Sequence, residues 1–250
     1  MARVLVVVPA LNEEEALPGV IAGVRAHAPE ADILVVDDHS RDGTARAARA
    51  AGARALRLPI HLGIGGAVQT GFRYAHRHGY DFVVQVDGDG QHPSAGIASL
   101  LEPLHADRAD VAIGSRFAGG AGREGFRSTA ARRLGIRLFT ALCRLLAGVT
   151  VRDATSGFRA YNVRAVRLLE RSYPADYPEV EAIVLMARAG LRIVEVPVRM
   201  RERQGGRSSI SSLRALYYMV KVSLASAVTA TKPRGSGPGR GPGRVDRLSQ

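Results

Sequence analysis

The chain has no tryptophan, and aromatic residues make up 5% of its 250 positions. Single-stranded nucleic acid is held largely on aromatic stacking platforms, which are scarce here. A nucleic-acid partner is therefore not expected. One cysteine, Cys143, leaves no internal disulfide and no Cys-rich zinc site. A reducing cytoplasm fits that count. Lysine is nearly missing too, with only Lys221 and Lys232. Arginine makes up for it, and the formal net charge is +12. That excess favours anionic partners such as phosphorylated substrates or an anionic membrane surface. No run of 18 uncharged apolar residues exists, so no transmembrane helix is expected. The first apolar run, Val4 to Val8, stops at Pro9, too short for a secretory signal. There is no P-loop, because Gly63-x-Gly65 lacks the Gly-Lys-Ser/Thr that would follow. The dinucleotide fingerprint fails as well, with Val68 where its third glycine belongs. Internal repeats are absent.

What is present is an alternation of short buried-type strands and helices. Val4 to Val8, Ile33 to Val36, Arg54 to Leu58, Phe82 to Val86 and Val111 to Arg116 read as strands. Helices are expected from about Glu13 to His27, Thr44 to Ala51, the stretch His61 to Ala67 that opens the next one on to His78, and Ser94 to His105. Such alternation predicts an α/β protein, Rossmann-like, with a mainly parallel sheet and helices on both faces. Further helices are expected over about Thr129 to Ala147 and Glu179 to Ala189. Leu191 to Val198 reads as an edge strand, since Pro197 cannot donate to a ladder. Residues 1–210 form the main domain, 211–231 a C-terminal amphipathic helix, and 232–250 a disordered basic tail.

Ligands of α/β proteins sit at strand tips. The fourth strand runs into Asp87-Gly88-Asp89-Gly90-Gln91, two carboxylates one residue apart. Hard oxygens there suit Mg²⁺ or Mn²⁺ with a substrate diphosphate; Asp and Gly are equally the usual residues of a plain turn. Strand one ends at Pro9 and leads to Asn12 with Glu13 to Glu15, which read as a helix N-cap and acidic first turn or as ligand contacts. Strand two ends in Asp37-Asp38, placed to meet a ribose or a base edge. The Gly63 to Gly66 turn either accepts phosphate or permits close packing. Ser115-Arg116 lies at another tip, where an Arg suits phosphate oxygens. Asp153 either orients an acceptor, acts as a base, or caps its own turn. Arg199 to Ser209 has the composition of a phosphate-binding loop or of a solvated charged one.

Two helices carry apolar stripes. In the first, Leu134, Leu138, Leu142 and Leu145 share a face, with Arg133, Arg137 and Arg144 on another. In the last, Leu213, Leu216, Tyr217, Val220 and Leu224 line up opposite Arg214, Tyr218 and Lys221. The first suits either an anionic membrane surface or a protein core, and the last either a membrane surface or a membrane-protein partner.

Taken in order, the motifs resemble those of family 2 glycosyltransferases of GT-A fold, especially dolichol- and polyprenyl-phosphate mannose synthases. They are Pro9-x-x-Asn12-Glu13, Asp37-Asp38-x-Ser40-x-Asp42-Gly43-Thr44, Gly63-x-Gly65-x-Ala67 and Asp87-x-Asp89-x-Gln91-His92-Pro93. Gly114-Ser115-Arg116, Ser156-Gly157-Phe158-Arg159, Glu195-Val196-Pro197-Val198 and Arg203-x-Gly205 complete the series. The resemblance spans about residues 3–210. It implies that Pro9, Asn12, Glu13, Asp37, Asp38, Gly65, Asp87 and Gly88 bind a nucleotide sugar. It implies that Asp87, Asp89 and Gln91 surround Mg²⁺ or Mn²⁺. It places Ser115, Arg116, Arg203, Arg207 and Ser208 at an acceptor phosphate, with Asp89, Arg116, Asp153 and Arg203 as the catalytic set. Family members often carry Ser-Lys after the Arg-x-x-Gly segment; here Gly205-Gly206-Arg207-Ser208-Ser209 stands instead.

The activity so implied is inverting transfer from a nucleoside diphosphate sugar (GDP-mannose or a UDP-hexose) to a polyprenyl phosphate. The protein is expected on the cytoplasmic, inner face of the cell membrane, peripherally bound. A phosphate acceptor needs no strong base; a hydroxyl acceptor needs a carboxylate, and Asp153 is the first choice for it. Processive polysaccharide synthases carry a Trp-containing motif that this chain lacks. A nucleotidyltransferase calls for a Gly-rich basic loop after strand one, where Pro9-Ala10-Leu11-Asn12-Glu13 stands.

Overall fold

The computed structural model describes residues 2–118, 130–175, 178–199 and 212–231. The N-terminal half is built of βα units: β1 (Val4–Ala10), α1 (Leu17–His27), β2 (Asp32–Asp37), α2 (Thr44–Ala50), β3 (Arg54–Arg57), α3 (Gly63–Arg77) and β4 (Phe82–Gln85). Then follow α4 (Ile97–His105), β5 (Val111–Ser115), α5 (Ala130–Ala147), β6 (Arg159–Asn162) and α6 (Val163–Ser172). The chain continues with α7 (Pro178–Arg188), β7 (Ile193–Pro197) and α8 (Ser212–Thr231).

The seven strands make one sheet in the order β3-β2-β1-β4-β6-β5-β7. Every pairing is parallel except those of β6, which runs antiparallel to both β4 and β5. The side-chain alternation of a strand gives each face its own core. Leu5 and Val7 face one way, against Val68 and Phe72 of α3, Phe139 of α5 and Leu169 of α6. Val6 and Val8 face the other, against Ile21 and Val24 of α1 and Leu100 of α4. The expected mainly parallel sheet, covered on both faces, is what forms, with β7 at one edge and β3 at the other.

Several expectations change. The sequence pattern assigns no strand to Arg159–Asn162, because four residues with a charge at one end and Asn at the other give no apolar run. The first helix begins at Leu17, four residues later than expected at Glu13, with Pro in its first turn. Asn12 does not cap it: its φ is +55°, a left-handed conformation that Asn tolerates, and its side chain is used elsewhere. The acidic residues 13–15 precede the helix, which has none in its first turn.

The apolar stripes are described only in part: the side chains of Leu134 on α5 and of Leu213, Leu216, Tyr217 and Val220 on α8 lie outside the description. On α5 the core takes Phe139 and Cys143, while Leu138 and Leu145 are 41% and 83% exposed. On α8 the side chains are described from Lys221 onward. There Val222, Ser226 and Thr229 face inward, and Leu224 and Val228 are 66% and 54% exposed. Thr229 Oγ1 donates to Glu181 of α7 at 2.7 Å. α8 packs on α5 and α7, and the contact with α7 draws polar side chains inward on a phase the leucine spacing does not reveal.

Candidate active site

Because β1, β2 and β4 are parallel neighbours, their C-terminal ends open on one edge of the sheet. A cavity of about 250 Å³ lies there. Pro9, Glu13, Asp38, Asp87, Gly88 and Asp89 line it together with Leu11, His61, Ile64 and others. Six of the expected nucleotide-sugar and metal residues thus meet in one place. Asn12, Asp37, Gly65 and Gln91 do not line it.

Asp38 is buried, and its carboxylate does two jobs. Its oxygens accept the Leu62 and Gly63 amides at 2.7 and 2.9 Å, holding the start of α3. Its Oδ2 also lies 2.8 Å from His61 Nδ1. Sequence reasoning gave His61 no role, although it sits two residues before Gly63. Asp37 Oδ1 accepts the Ser40 amide at 2.8 Å and so caps the next turn rather than facing the cavity.

Asn12 and Glu13 stitch the two loops that follow β1 and β2. The Asn12 amide donates to Ser40 Oγ at 3.0 Å, and Asn12 Oδ1 accepts the Arg41 amide at 2.8 Å. The Glu13 amide donates to Thr44 Oγ1 at 2.9 Å. Asn12 therefore supports the wall of the cavity from behind. Gly65 serves packing: a Cβ there would collide with the carbonyls of Pro174 and Ala175. That is the close-packing alternative for the Gly63 to Gly66 turn.

Asp87 and Asp89 stand at the end of β4. The Asp87 amide donates to His92 Nδ1 at 3.0 Å. That ring nitrogen is therefore an acceptor, and Nε2, 3.4 Å from Asp87 Oδ2, is the side that carries the proton. His92 is buried and stacks on Phe158, with centroids 5.1 Å apart. It braces Asp87, a role that its place in Gln91-His92-Pro93 hinted at without stating. The Gln91 amide donates to Asp89 Oδ1 at 3.1 Å. Among the described residues no three His, Cys, Asp or Glu side chains cluster as a metal cage. Two carboxylates lining one cavity supply only part of an octahedral shell, which suits a cation that takes its other oxygens from water and a diphosphate.

A second cluster lies at the tip of β5. Asp153 is fully buried. Its Oδ2 accepts the Arg116 amide at 3.0 Å and Nε at 2.7 Å; its Oδ1 accepts Nη2 at 2.7 Å. The Asp153 and Arg152 amides in turn donate to the two oxygens of Glu195, each at 2.9 Å. A chain of hydrogen bonds thus runs from Glu195 of β7 through the backbone and then the carboxylate of Asp153 to Arg116. Ser115 is buried, and its Oγ accepts the amides of Phe117 and Ala118, both at 3.2 Å. Arg203, Arg207 and Ser208 lie outside the described residues.

The two clusters are joined by the segment before β6. Gly157 lies directly against Asp87. The half-buried Glu179, in the first turn of α7, has its carboxyl pushed above the usual range, chiefly by burial, with the charge of Asp87 adding and Arg159 opposing.

A mainly parallel sheet with an acidic cleft at its strand ends and one antiparallel strand within it is the architecture of a GT-A glycosyltransferase. The comparisons agree. The model of glycosyl transferase family 2 matches residues 5–169, and the chain belongs to that family. It is 36% identical over 217 residues to an undecaprenyl-phosphate mannosyltransferase of Micrococcus luteus, covering 84% of this chain and 88% of the relative. It is 36% identical over 233 residues to a polyprenol monophosphomannose synthase of Mycolicibacterium smegmatis, covering 88% and 85%. In fold it is similar to a glucosyl-3-phosphoglycerate synthase of Mycobacterium tuberculosis in complex with Mn²⁺, UDP and phosphoglyceric acid. That match has a TM-score of 0.68 at 23% identity and covers 96% of this chain and 81% of the other.

Proposed function

We propose that this glycosyltransferase moves a sugar from a nucleoside diphosphate sugar to a polyprenyl phosphate, with inversion at the anomeric carbon. The observation that carries the reading is the meeting of Pro9, Glu13, Asp38, Asp87 and Asp89 around one cavity at the strand ends. The acceptor class is supported by the two relatives that bear polyprenyl or undecaprenyl phosphate in their names. Pro9, Glu13 and Asp38 bound the nucleoside side. Asp87 and Asp89 would hold Mg²⁺ or Mn²⁺, with Gln91, whose amide binds Asp89 Oδ1, steadying Asp89 from outside the cavity lining; the Mn²⁺–UDP complex of the fold relative supports that choice. Such a cation supplies neutralisation of the charge that develops on the departing diphosphate. Arg116, kept in place by Asp153, meets phosphate oxygens, with Arg203, Arg207, Ser115 and Ser208 proposed beside it. An ionised phosphate acceptor attacks without a strong base, so Asp153 serves as an orienter of Arg116 and not as a proton acceptor.

Among the described residues no helix is long and apolar enough to cross a membrane. Leu138 and Leu145 of α5 and Leu224 and Val228 of α8 leave apolar side chains outside the core. We assign that face to an anionic membrane surface, on the cytoplasmic side, where the lipid acceptor is presented.

The test is a donor screen with purified protein, undecaprenyl phosphate in detergent, and Mg²⁺ or Mn²⁺. Transfer is expected from one donor and is expected to vanish in Asp89→Ala. Transfer that survives that substitution overturns the metal assignment. Transfer to hydroxyl acceptors alone overturns the acceptor class.

A further inference from the structure

Arg159 heads the wholly buried side chains of the described residues by volume, at 1% exposure. Burying a cation is costly, and an apolar side chain of similar size would fill the space without that cost. Its presence therefore calls for an explanation beyond packing. The guanidinium holds three carbonyls. Nε donates to Ser156 O at 2.7 Å, and Nη2 donates to Ala154 O and to Glu179 O, both at 3.0 Å. Nη1 has no hydrogen-bond partner among the described residues. Two of these carbonyls belong to the loop before β6, and the third to the first turn of α7. The guanidinium keeps its charge in any protein environment, so the clamp does not come and go with pH.

The clamped loop ends against Asp87. A Cβ on Gly157 would sit 2.9 Å from Asp87 Oδ2 and 3.1 Å from Oδ1. The next residue, Phe158, carries the ring on which His92 stacks, and His92 in turn touches the Asp87 amide and carboxylate. The Gly157 backbone and the His92–Phe158 stack thus confine that carboxylate. The strand ladder alone does not fix this. Arg159 pairs with Gln85 at the last residue of β4, two residues short of Asp87.

We infer that Arg159 is a positioning residue for Asp87. By tying the 154–157 loop to the first turn of α7, it presses Gly157 and Phe158 into place and presents the Asp87 carboxylate in one orientation. The inference rests on the proposed role of Asp87 at a metal–diphosphate site.

The test measures binding of UDP and of GDP to the purified protein by calorimetry, with and without Mn²⁺, alongside the melting temperature. The variants are Arg159→Lys and Gly157→Ala. The wild type is expected to bind one nucleotide more tightly with Mn²⁺. Arg159→Lys is expected to keep the metal-free affinity and to lose about 10- to 100-fold of the Mn²⁺-dependent gain, the usual cost of removing support behind a ligand. Gly157→Ala leaves the clamp intact but displaces the same carboxylate, and is expected to lose the gain at a melting temperature near that of the wild type. A full Mn²⁺ gain in folded Arg159→Lys overturns the inference. If Arg159→Lys does not fold, Gly157→Ala decides: a retained gain overturns the inference and a lost gain supports it. If the wild type itself shows no Mn²⁺ gain with either nucleotide, the metal reading of Asp87 falls, and the inference with it.

Discussion

Consider Asp153→Asn. In the wild type one fully buried carboxylate accepts three hydrogen bonds from Arg116. An amide in its place keeps its oxygen toward the Arg116 amide and Nε and turns its NH₂ toward Nη2. One charge-assisted bond is lost, worth about 1.5–3 kcal/mol, and two donors face each other. A destabilisation of about 3 kcal/mol follows, or about 6–12 °C in melting temperature for a chain of this length. The effect on turnover separates the two roles of Asp153. If it acts through Arg116, loosening the Arg is expected to cost about 100- to 1,000-fold in kcat, as for other donors aimed at developing charge. Arg116→Met is then expected to be as impaired, and the double variant no worse than Arg116→Met alone. The double variant also no longer buries an unpaired charge, so it is expected to melt above Arg116→Met. The assay is sugar transfer to undecaprenyl phosphate, with kcat and KM separated, for all four proteins. Losses that multiply in the double variant refute the reasoning, because they mean that Asp153 contributes independently of Arg116, as a base does.

Two further outcomes are expected. Asp110 is buried and accepts from the Arg192 amide and Nε, from Asn162 Nδ2 and from Arg164 Nη1, so it ties β5, β6 and β7 together. Burial pushes its carboxyl up, but the bonds from Arg192 and Asn162, with the charge of Arg164, leave it below its usual value. A carboxyl lowered on folding stabilises fully above its unfolded value, near pH 4, and that stability is lost as pH falls through the folded value. Asp110→Asn is expected to lose about 2–3 kcal/mol at neutral pH, the low end for a buried pair because both arginines are about half exposed. Acid titration of stability checks it: the variant curve should be flatter below about pH 4, with kcat at pH 7 unchanged. Cys143 is buried, and burial pushes its thiol up to about 11. Native protein is expected to resist iodoacetamide at pH 8 and to react once unfolded, as mass spectrometry reads directly.

The cavity at the ends of β1, β2 and β4 was legible because apolar runs stop abruptly at carboxylates. Val36 gives way to Asp37-Asp38, and Val86 to Asp87-Gly88-Asp89. Parallel topology then carries those tips to one edge. The β5 side was less legible. Arg116 and Asp153 are 37 positions apart, and neither reveals the other, since pairing depends on where β6 enters the sheet. Asp153 left three readings open, because a lone carboxylate in a polar stretch suits an orienter, a base or a turn cap equally. Glu195 sat in a quoted motif with no role, because its bonds go to backbone amides that a sequence does not display. Asn12 has the composition of a cap and the conformation of a loop tie; the choice is made by Ser40 and Arg41, about thirty residues away.

The antiparallel β6 bears on the order in which the molecule can be made. β4 and β5 are not partners, and each waits for residues 159–162 to cover its flank. Until that stretch leaves the ribosome, β4 keeps one open edge and β5, whose other partner β7 comes later still, keeps two, and open edges invite association with other chains. The cavity proposed for the nucleoside, by contrast, is lined among the described residues by positions 9–89. A nascent chain is therefore able to gather that lining before it closes the sheet, but the Asp87 carboxylate meets Gly157 and the His92–Phe158 stack only once the segment before β6 has arrived. A truncation ending near residue 155 keeps the cavity lining yet leaves one edge of β4 and both edges of β5 bare, which makes it a chain prone to aggregate rather than a minimal domain.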